Sequence, residues 1–413
     1  MTLWNIETAR QHVCRFDRLN DVLRQQLVDE LNRSFSPALY NAQRAMRRQA
    51  LQNIAVYKDL LGRSKQKFPT TMAAVESPFS LASMRSCAIM FTAGGEGERL
   101  RLSLIERGVP PDQLTDFTKA TYPLPGLDNC LSTLAINLKL VAAIGKELNL
   151  DIPVIISTGP AGSITAGVIP EIVARNHNFG LKNIVILEQD ERLHLSGDEQ
   201  IVYTINGSTV AIATNPDETG GPLMKLKKPL KGANHSALEW LDTMGKTTLL
   251  VLQATAIFKK ELIANMAQAA LQHDCVGVGI ARSSFGDNDP FGSFVMLDTA
   301  TREQLVILEQ TVRNDATRQI RNSGGDYLPY NSGFYALHTR LLTADNLPDY
   351  ATPPKEIVPD LPRAPKIGYA ATDIFPFANN PLVLTIAPSW FGVLKNADDL
   401  AVLSAMARQL QLV

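Results

Sequence analysis

Gly94, Gly95 and Gly97 stand just ahead of Arg99 and directly after the apolar run Cys87-Ala88-Ile89-Met90-Phe91. A run of that length predicts a buried parallel strand. The glycines predict a turn at its carboxyl end, where a backbone without Cβ atoms can lie close to a ligand. Amides freed at a turn that opens into a helix form an anion cradle. The planar fork of an arginine suits phosphate. No Gly-Lys-Ser/Thr follows, so this is not a Walker loop, and the full dinucleotide glycine spacing is missing. From these residues alone two readings stand, a plain tight turn and a phosphate site. Two lysines are further candidates. Lys119 lies in a loop, and Lys395 follows a strand-like run through Phe391 and Val393, as snorkelling lysines do.

The chain around these residues must position them. It has 413 residues, above the size at which one hydrophobic core stops growing, so two or three structural units are expected. Phe16, Leu19, Val22, Leu23, Leu27, Val28 and Leu31 recur at spacings of three and four and predict one buried helical face. Ala45, Leu51, Ile54 and Leu60 predict a further helix. Residues 66 to 80 carry prolines and small residues and read as a connector. Strand-length apolar runs then follow at Ile152–Ser157, Asn183–Leu187, Thr247–Leu252, Val276–Ile280 and Gly292–Leu297. Helical stretches lie between several of them, at Leu131–Leu148, Ile164–Asn176 and Lys259–His273. Strand and helix in alternation mean a mostly parallel sheet with helices on both faces. In such sheets ligands sit at the carboxyl ends of strands, where Gly94 to Arg99 would lie. The expected division is 1–80, a helical N-terminal region; 81–385, an α/β core; and 386–413, a short segment with Lys395 and a closing helix.

Composition narrows the function. Lys plus Arg (40) and Asp plus Glu (41) nearly cancel, which argues against nucleic-acid and membrane-surface partners. The one visible single-sign cluster is Lys225, Lys227, Lys228 and Lys231, by default a solvated face and otherwise a wall toward an anionic substrate. Cys14, Cys87, Cys130 and Cys275 have neither metal-ligand nor redox spacing, and the six histidines never sit at i, i+4. With no apolar span of membrane length and no leader pattern, the expectation is a cytoplasmic protein with reduced thiols.

Several stretches, in order, resemble the uridylyltransferase family of UDP-N-acetylglucosamine pyrophosphorylases and UTP–glucose-1-phosphate uridylyltransferases. Ala93-Gly94-Gly95-Glu96-Gly97-Glu98-Arg99-Leu100 resembles its Gly-Gly-x-Gly-Thr-Arg-Leu signature, and Thr118-Lys119 with Pro123-Leu124 its Pro-Lys segment. Ser157-Thr158-Gly159 and Phe179-Gly180-Leu181-Lys182 leading to Gln189 are similar to two further stretches. Pro216-Asp217-Glu218-Thr219-Gly220-Gly221 resembles Pro-Asp-Gly-x-Gly-Gly, and Asn331-Ser332-Gly333-Phe334 the sugar loop. Asp373-Ile374-Phe375-Pro376-Phe377-Ala378 and Leu394-Lys395-Asn396-Ala397-Asp398 close the series.

The resemblance implies a Rossmann-like nucleotidyltransferase core and a reaction joining UTP to a sugar 1-phosphate. It implies that Ala93, Gly94, Gly95 and Gly97 hold the nucleotide, and that Arg99, Lys119 and Lys395 neutralise phosphates. Gly220 and Gly221 would lie against uracil or ribose, and Gln189 would read the uracil edge through an amide that is both donor and acceptor. Asn331, Gly333 and Glu309 would face the sugar hydroxyls. Glu309 alternatively caps the run Leu305–Leu308, and Asp373 is either a metal ligand or a helix N-cap.

Three departures bear on chemistry. Glu98 replaces the signature threonine. The Leu100–Lys119 stretch, with Pro110-Pro111, is long enough for a lid. Where the resemblance implies a metal-binding aspartate after Leu249–Leu252, this chain reads Gln253-Ala254-Thr255. Mg²⁺ would then rest on Asp373 or Glu98, or mainly on phosphates, or the chain would bind without catalysis. The leading expectation is a uridylyltransferase making UDP-N-acetylglucosamine or UDP-glucose. Its rivals are a catalytically silent nucleotide or UDP-sugar binder acting as sensor or subunit, and a nucleotidyltransferase for another base or acceptor.

Overall fold

The computed structural model describes residues 3–76, 81–127, 131–285, 289, 291–343, 347–356 and 361–412. Cys130 and residues 77–80 of the expected connector fall outside these. The chain forms two compact units, each drawn from three segments: 1–63, 190–221 and 347–371 in the first, and 64–189, 222–346 and 372–413 in the second. No helix among the described residues is long and apolar enough to cross a membrane.

The first unit opens with helices Ile6–His12, Asp21–Ser34 and Pro37–Arg63. Asn5 closes a capping box with Thr8, and the Asn20 side chain accepts from Leu23 N at 2.9 Å, which sets two of the starts. Short antiparallel pairs follow: Glu191–Leu193 with Thr214–Pro216, Tyr203–Asn206 with Thr209–Ile212, and Asp349–Ala351 with Ile367–Tyr369. Trp4, Phe16, Leu27, Leu31, Leu193, Ile201 and Ile367 share its apolar core. The further helix expected around Ala45 to Leu60 is present, and one expectation for the helices is corrected. Val22 is exposed rather than on the buried face, in the first turn two residues past the Asn20 cap. The 37–63 helix buries Tyr40, Gln43, Arg47 and Ala50, while Ala45 and Leu51 face solvent. Gln43 and Arg47 go inside because backbone groups there need partners: Leu193 N donates to Gln43 Oε1 at 2.7 Å, and Arg47 donates to Gly197 O at 3.3 Å.

The second unit is built on an eleven-stranded sheet. Its strands in chain order are β1 (Lys65–Lys67), β2 (Thr71–Ala73), β3 (Cys87–Thr92), β4 (Val154–Pro160), β5 (Ile184–Gln189), β6 (Thr248–Gln253), β7 (Cys275–Ile280), β8 (Ser293–Asp298), β9 (Glu303–Leu308), β10 (Tyr330–His338) and β11 (Pro381–Ile386). The order across the sheet is β2-β11-β7-β10-β6-β3-β4-β5, with β8 joining β10, β9 and β1 as a branch. Strands β6, β3, β4 and β5 run parallel, as do β7, β11 and β2. β10 is antiparallel to both of its neighbours in the sheet, β6 and β7. β3, β4 and β7 are buried almost throughout, as their unbroken apolar runs require. The expected α/β architecture with a mostly parallel mixed sheet is therefore present. The residues read as a connector instead supply β1 and β2 to the sheet.

Helices Thr133–Leu148, Ile164–Arg175 and Lys260–Ala269 cover the sheet, with Ser132 and Ser163 as N-caps of the first two. The tail forms the helix Asp399–Gln409. Leu100, Leu104, Leu114 and Phe117 bury themselves with Leu394, Ala397, Leu400 and Leu403. The stretch considered as a lid is therefore packed onto the tail helix.

Candidate functional site

The carboxyl end of β3 passes into Ala93-Gly94-Gly95-Glu96-Gly97 and then the helix Glu98–Glu106. Gly97 takes φ +81° as its N-cap, and a Cβ there would lie 2.8 Å from Lys119 Cβ and 3.1 Å from Lys119 N. A Cβ at Gly94 would come to 2.2 Å from Gln189 Oε1 and 3.3 Å from Gly159 N. The turn thus threads between the ends of β5 and β4 and the Thr118-Lys119 segment; a side chain at Gly97 would be strained, and one at Gly94 would have to displace the Gln189 amide. Gly95 has nothing within 4 Å of its Cβ direction, so its freedom answers to no protein neighbour. Glu98 is exposed in the first helical turn, where a carboxylate complements the helix dipole.

Arg99, Lys119 and Lys395 come together beside this turn. Burial first, then the charges of Arg99 and Lys395, pushes the Lys119 ammonium below its usual value, while Asp399 opposes them. Burial also lowers Lys395, with Asp399 opposing and Arg99 assisting. Among the described residues none of the three side chains forms an ion pair with a carboxylate. Lys395 reaches this place because Phe391–Val393 pairs antiparallel with Ala256–Phe258, and Leu394 N donates to Thr255 O at 2.9 Å. Its own backbone N–H donates to Asp399 Oδ2 at 2.7 Å.

The start of antiparallel β10 reaches the same edge of the sheet. Asn331 N donates to Gly292 O at 2.8 Å, its Nδ2 donates to Tyr335 Oη at 3.0 Å, and its Oδ1 accepts from Gly333 N at 2.9 Å. One donor and one lone pair of the amide remain for a ligand. Gly333 has φ +78°, and a Cβ on it would meet Gln253 Nε2 at 2.3 Å. Gln253, at the end of β6, donates from that Nε2 to Ser332 O at 2.8 Å. Its amide therefore braces the Asn331–Gly333 turn. Glu309 follows β9 and lies near Gly292, whose Cβ direction is 3.1 Å from Glu309 Oε1. Asp373 sits inside the short helix Ala371–Phe377, not at its N-cap. Burial, and secondarily Glu309, raises its carboxyl from 3.8 to about 7. Burial likewise raises Glu309, against the pull of Arg313.

Gly220 and Gly221 belong to the first unit. Gly220 N donates to Tyr369 O at 2.7 Å, and Tyr369 N donates to Asp217 O at 3.0 Å. A Cβ on Gly220 would lie 2.8 Å from Tyr369 Cβ, and one on Gly221 would overlap the Asp217 carboxylate. The Pro216–Gly221 loop is thus locked to the strand Ile367–Tyr369. Gly94, Gly95, Gly97, Arg99, Lys119, Gln189, Glu309, Asn331, Gly333, Asp373 and Lys395 all lie in the second unit.

The described residues do not make a cation site held by protein alone. Among the described residues no group of three or more His, Cys, Asp or Glu side chains converges. Asp373 has Glu309 as its acidic neighbour, and Gln253 spends its amide on Ser332. Mg²⁺ takes about six oxygen ligands, so no step below is routed through it.

Sequence reasoning missed one cluster. Arg282 lies two residues past β7, and its Nη1 donates to Ser293 Oγ at 3.0 Å, with Asp289 at 3.1 Å. Arg313 donates to the same Ser293 Oγ at 3.1 Å and to Asp289 O at 2.6 Å. A charged residue two positions past a buried strand was the available signal.

The fold is similar to that of solved UDP-sugar pyrophosphorylases. The putative UDP-N-acetylglucosamine pyrophosphorylase of Entamoeba histolytica is similar at TM-score 0.63 and 17% identity, over 83% of this chain and 88% of that one. The UDP-N-acetylglucosamine pyrophosphorylase of Trypanosoma brucei, solved with an inhibitor, is similar at TM-score 0.66 and 14% identity, over 98% and 81%. A mutant UDP-glucose pyrophosphorylase of Leishmania major in complex with UDP-glucose is similar at TM-score 0.57 and 14% identity, over 81% and 69%. At these identities the likeness is one of fold. No family model and no curated protein matches the chain in sequence.

Proposed function

We propose that this chain is a UTP-dependent sugar-1-phosphate uridylyltransferase. The observation that carries the reading is the meeting of Arg99, Lys119 and Lys395, with no carboxylate ion pair among the described residues, beside a glycine turn at the end of β3. Like charges gathered in a half-buried place cost stability, and a polyphosphate offsets that cost.

In the reaction a phosphate oxygen of the sugar 1-phosphate attacks the α-phosphorus of UTP. The new P–O bond forms as the α–β bridging bond breaks, and pyrophosphate leaves with the electron pair. No protein nucleophile is needed, so the chain supplies position and charge. The Gly94–Gly97 amides cradle the nucleotide phosphates, and Arg99 draws the β- and γ-phosphates. Lys119 and Lys395 stabilise charge that develops around the α-phosphate. Asn331, Gly333 and Glu309 orient the sugar, with Gln253 fixing their turn. Gln189 reads the base through its amide. Asp373, whose carboxyl burial and Glu309 raise, would carry the proton that lets it donate to the sugar or phosphate.

A silent binder is the second reading, favoured by Gln253, whose amide is engaged with Ser332 where the resemblance implies a metal-binding aspartate. Pyrophosphate release from UTP with N-acetylglucosamine 1-phosphate and glucose 1-phosphate, each with and without Mg²⁺, separates the two. Steady release supports the transferase. Tight UDP-sugar binding with no release from any combination replaces it with the binder.

A further inference from the structure

Lys395 is anchored at its backbone but not at its ammonium. Asp399 Oδ2 accepts from Lys395 N at 2.7 Å and from Asn396 N at 2.9 Å. The Nζ atom lies 4.1 Å from the centroid of the Phe291 ring. That ring is fixed in turn. Phe291 stacks on Tyr330 with centroids 4.6 Å apart and planes at 28°. Its backbone N–H donates to Asp289 Oδ1 at 3.0 Å. The Arg282 guanidinium lies 5.3 Å from the Tyr330 ring and is itself held by Ser293 and Asp289. A buried ion cluster, two stacked rings and an ammonium therefore form one series.

The geometry points to Phe291 as a positioning residue, the ring on which the Lys395 ammonium rests beside Arg99 and Lys119 until a phosphate takes it up. This rests on the phosphate role proposed for Lys395. An aromatic face attracts a cation through its quadrupole and uses no N–H donor. All three ammonium protons then stay available for phosphate oxygens. A carboxylate in the same place would hold the lysine more tightly and repel the incoming triphosphate. The charged groups facing Lys395 are Asp399, which favours its charged form, and Arg99 and Lys119, which oppose it. The ring offsets part of that opposition without adding negative charge to the site.

The test titrates Lys395 directly. Lysines of the full chain are reductively methylated with ¹³C, and the Lys395 signal is assigned by its loss in Lys395→Arg. In Phe291→Leu, which keeps apolar bulk but removes the ring, the Lys395 midpoint is expected to fall by about half a unit to one unit. In Phe291→Tyr it is expected to stay near the wild-type value. An unmoved midpoint in the leucine variant overturns the proposal, as does an equal fall in both variants, which would mean loss of packing. In pyrophosphate release, Phe291→Leu is expected to lose about tenfold in kcat/KM, about 1.4 kcal/mol, and Phe291→Tyr to recover most of it. Absence of turnover in the unsubstituted chain would count against the transferase reading and leave the titration to decide on Phe291.

Discussion

Asp373 carries the sharpest charge conflict in the second unit. Its carboxyl is raised to about 7 by burial and then by Glu309. Between about pH 4 and 7 the folded chain holds a proton that the unfolded chain has released, so stability falls as pH rises through that window. The full penalty applies above the folded value. Asp373→Asn is therefore expected to leave stability unchanged at pH 4 and to raise it at pH 8 by about 1–3 kcal/mol, discounted for partial solvent access. Thermal unfolding of both proteins at the two pH values measures this. An equal gain at both would assign the effect to packing instead of charge. The residues that carry this conflict were legible one by one as candidates. Their closeness was not, because Glu309 and Asp373 lie on separate elements and only the sheet edge unites them.

The glycine turn after β3 lets fold and ligand effects be told apart. Gly97 sits in the left-handed region with Lys119 backbone against its missing Cβ, whereas Gly95 faces open space without positive φ. Gly97→Ala is expected to lower stability by about 1–3 kcal/mol through strain and contact, and activity with it. Gly95→Ala is expected to leave the unfolding midpoint within about 1 °C while weakening UTP binding about tenfold or more, since its space is left for a ligand. Calorimetric titration of UTP alongside thermal unfolding reads both. Unchanged UTP binding in Gly95→Ala would remove the backbone cradle from the mechanism. The strand that precedes this turn was visible in the sequence because burial on both faces demands an unbroken apolar run, and the same holds for β4 and β6. β10 was not. It opens Tyr330-Asn331-Ser332-Gly333, a polar start with a positive-φ glycine, and those residues read first as a sugar loop. They form the start of the strand, and an antiparallel strand brings its amino end to the edge where parallel strands end.

At the level of the whole chain, alternation of strands and helices was enough to expect an α/β architecture. The composition of the two units was not readable, because segments 190–221 and 347–371 join residues 1–63 across long stretches of sequence. What joins them is partly polar, and hydrophobic periodicity is blind to it. Arg44, Arg47 and Arg48 lie at helical spacing on Pro37–Arg63 and all face Glu199, more than 150 residues away. Arg44 Nη2 reaches Glu199 Oε2 at 2.7 Å, and Arg48 Nε reaches Oε1 at 2.6 Å. Glu199 itself sits at φ +61°, so its own backbone favours no such position, and Tyr40 Oη donates to its carbonyl at 3.0 Å. The hydrogen bond from Arg48, then Arg44, holds its carboxyl down at about 2. A depressed carboxyl contributes stability that is present above the unfolded value near 4.5 and is lost as pH falls toward 2. Glu199→Gln keeps the shape and removes the charge, leaving three arginines facing one another. It is expected to lower unfolding free energy at pH 7 by about 1–2 kcal/mol, a value held down by solvent at Arg48. Urea unfolding of the two proteins should show that gap closing as pH drops from 5 to 2. A gap that stays constant across that range would mean the glutamate acts through its hydrogen-bonding shape, and the joining of the first unit's segments would not depend on charge.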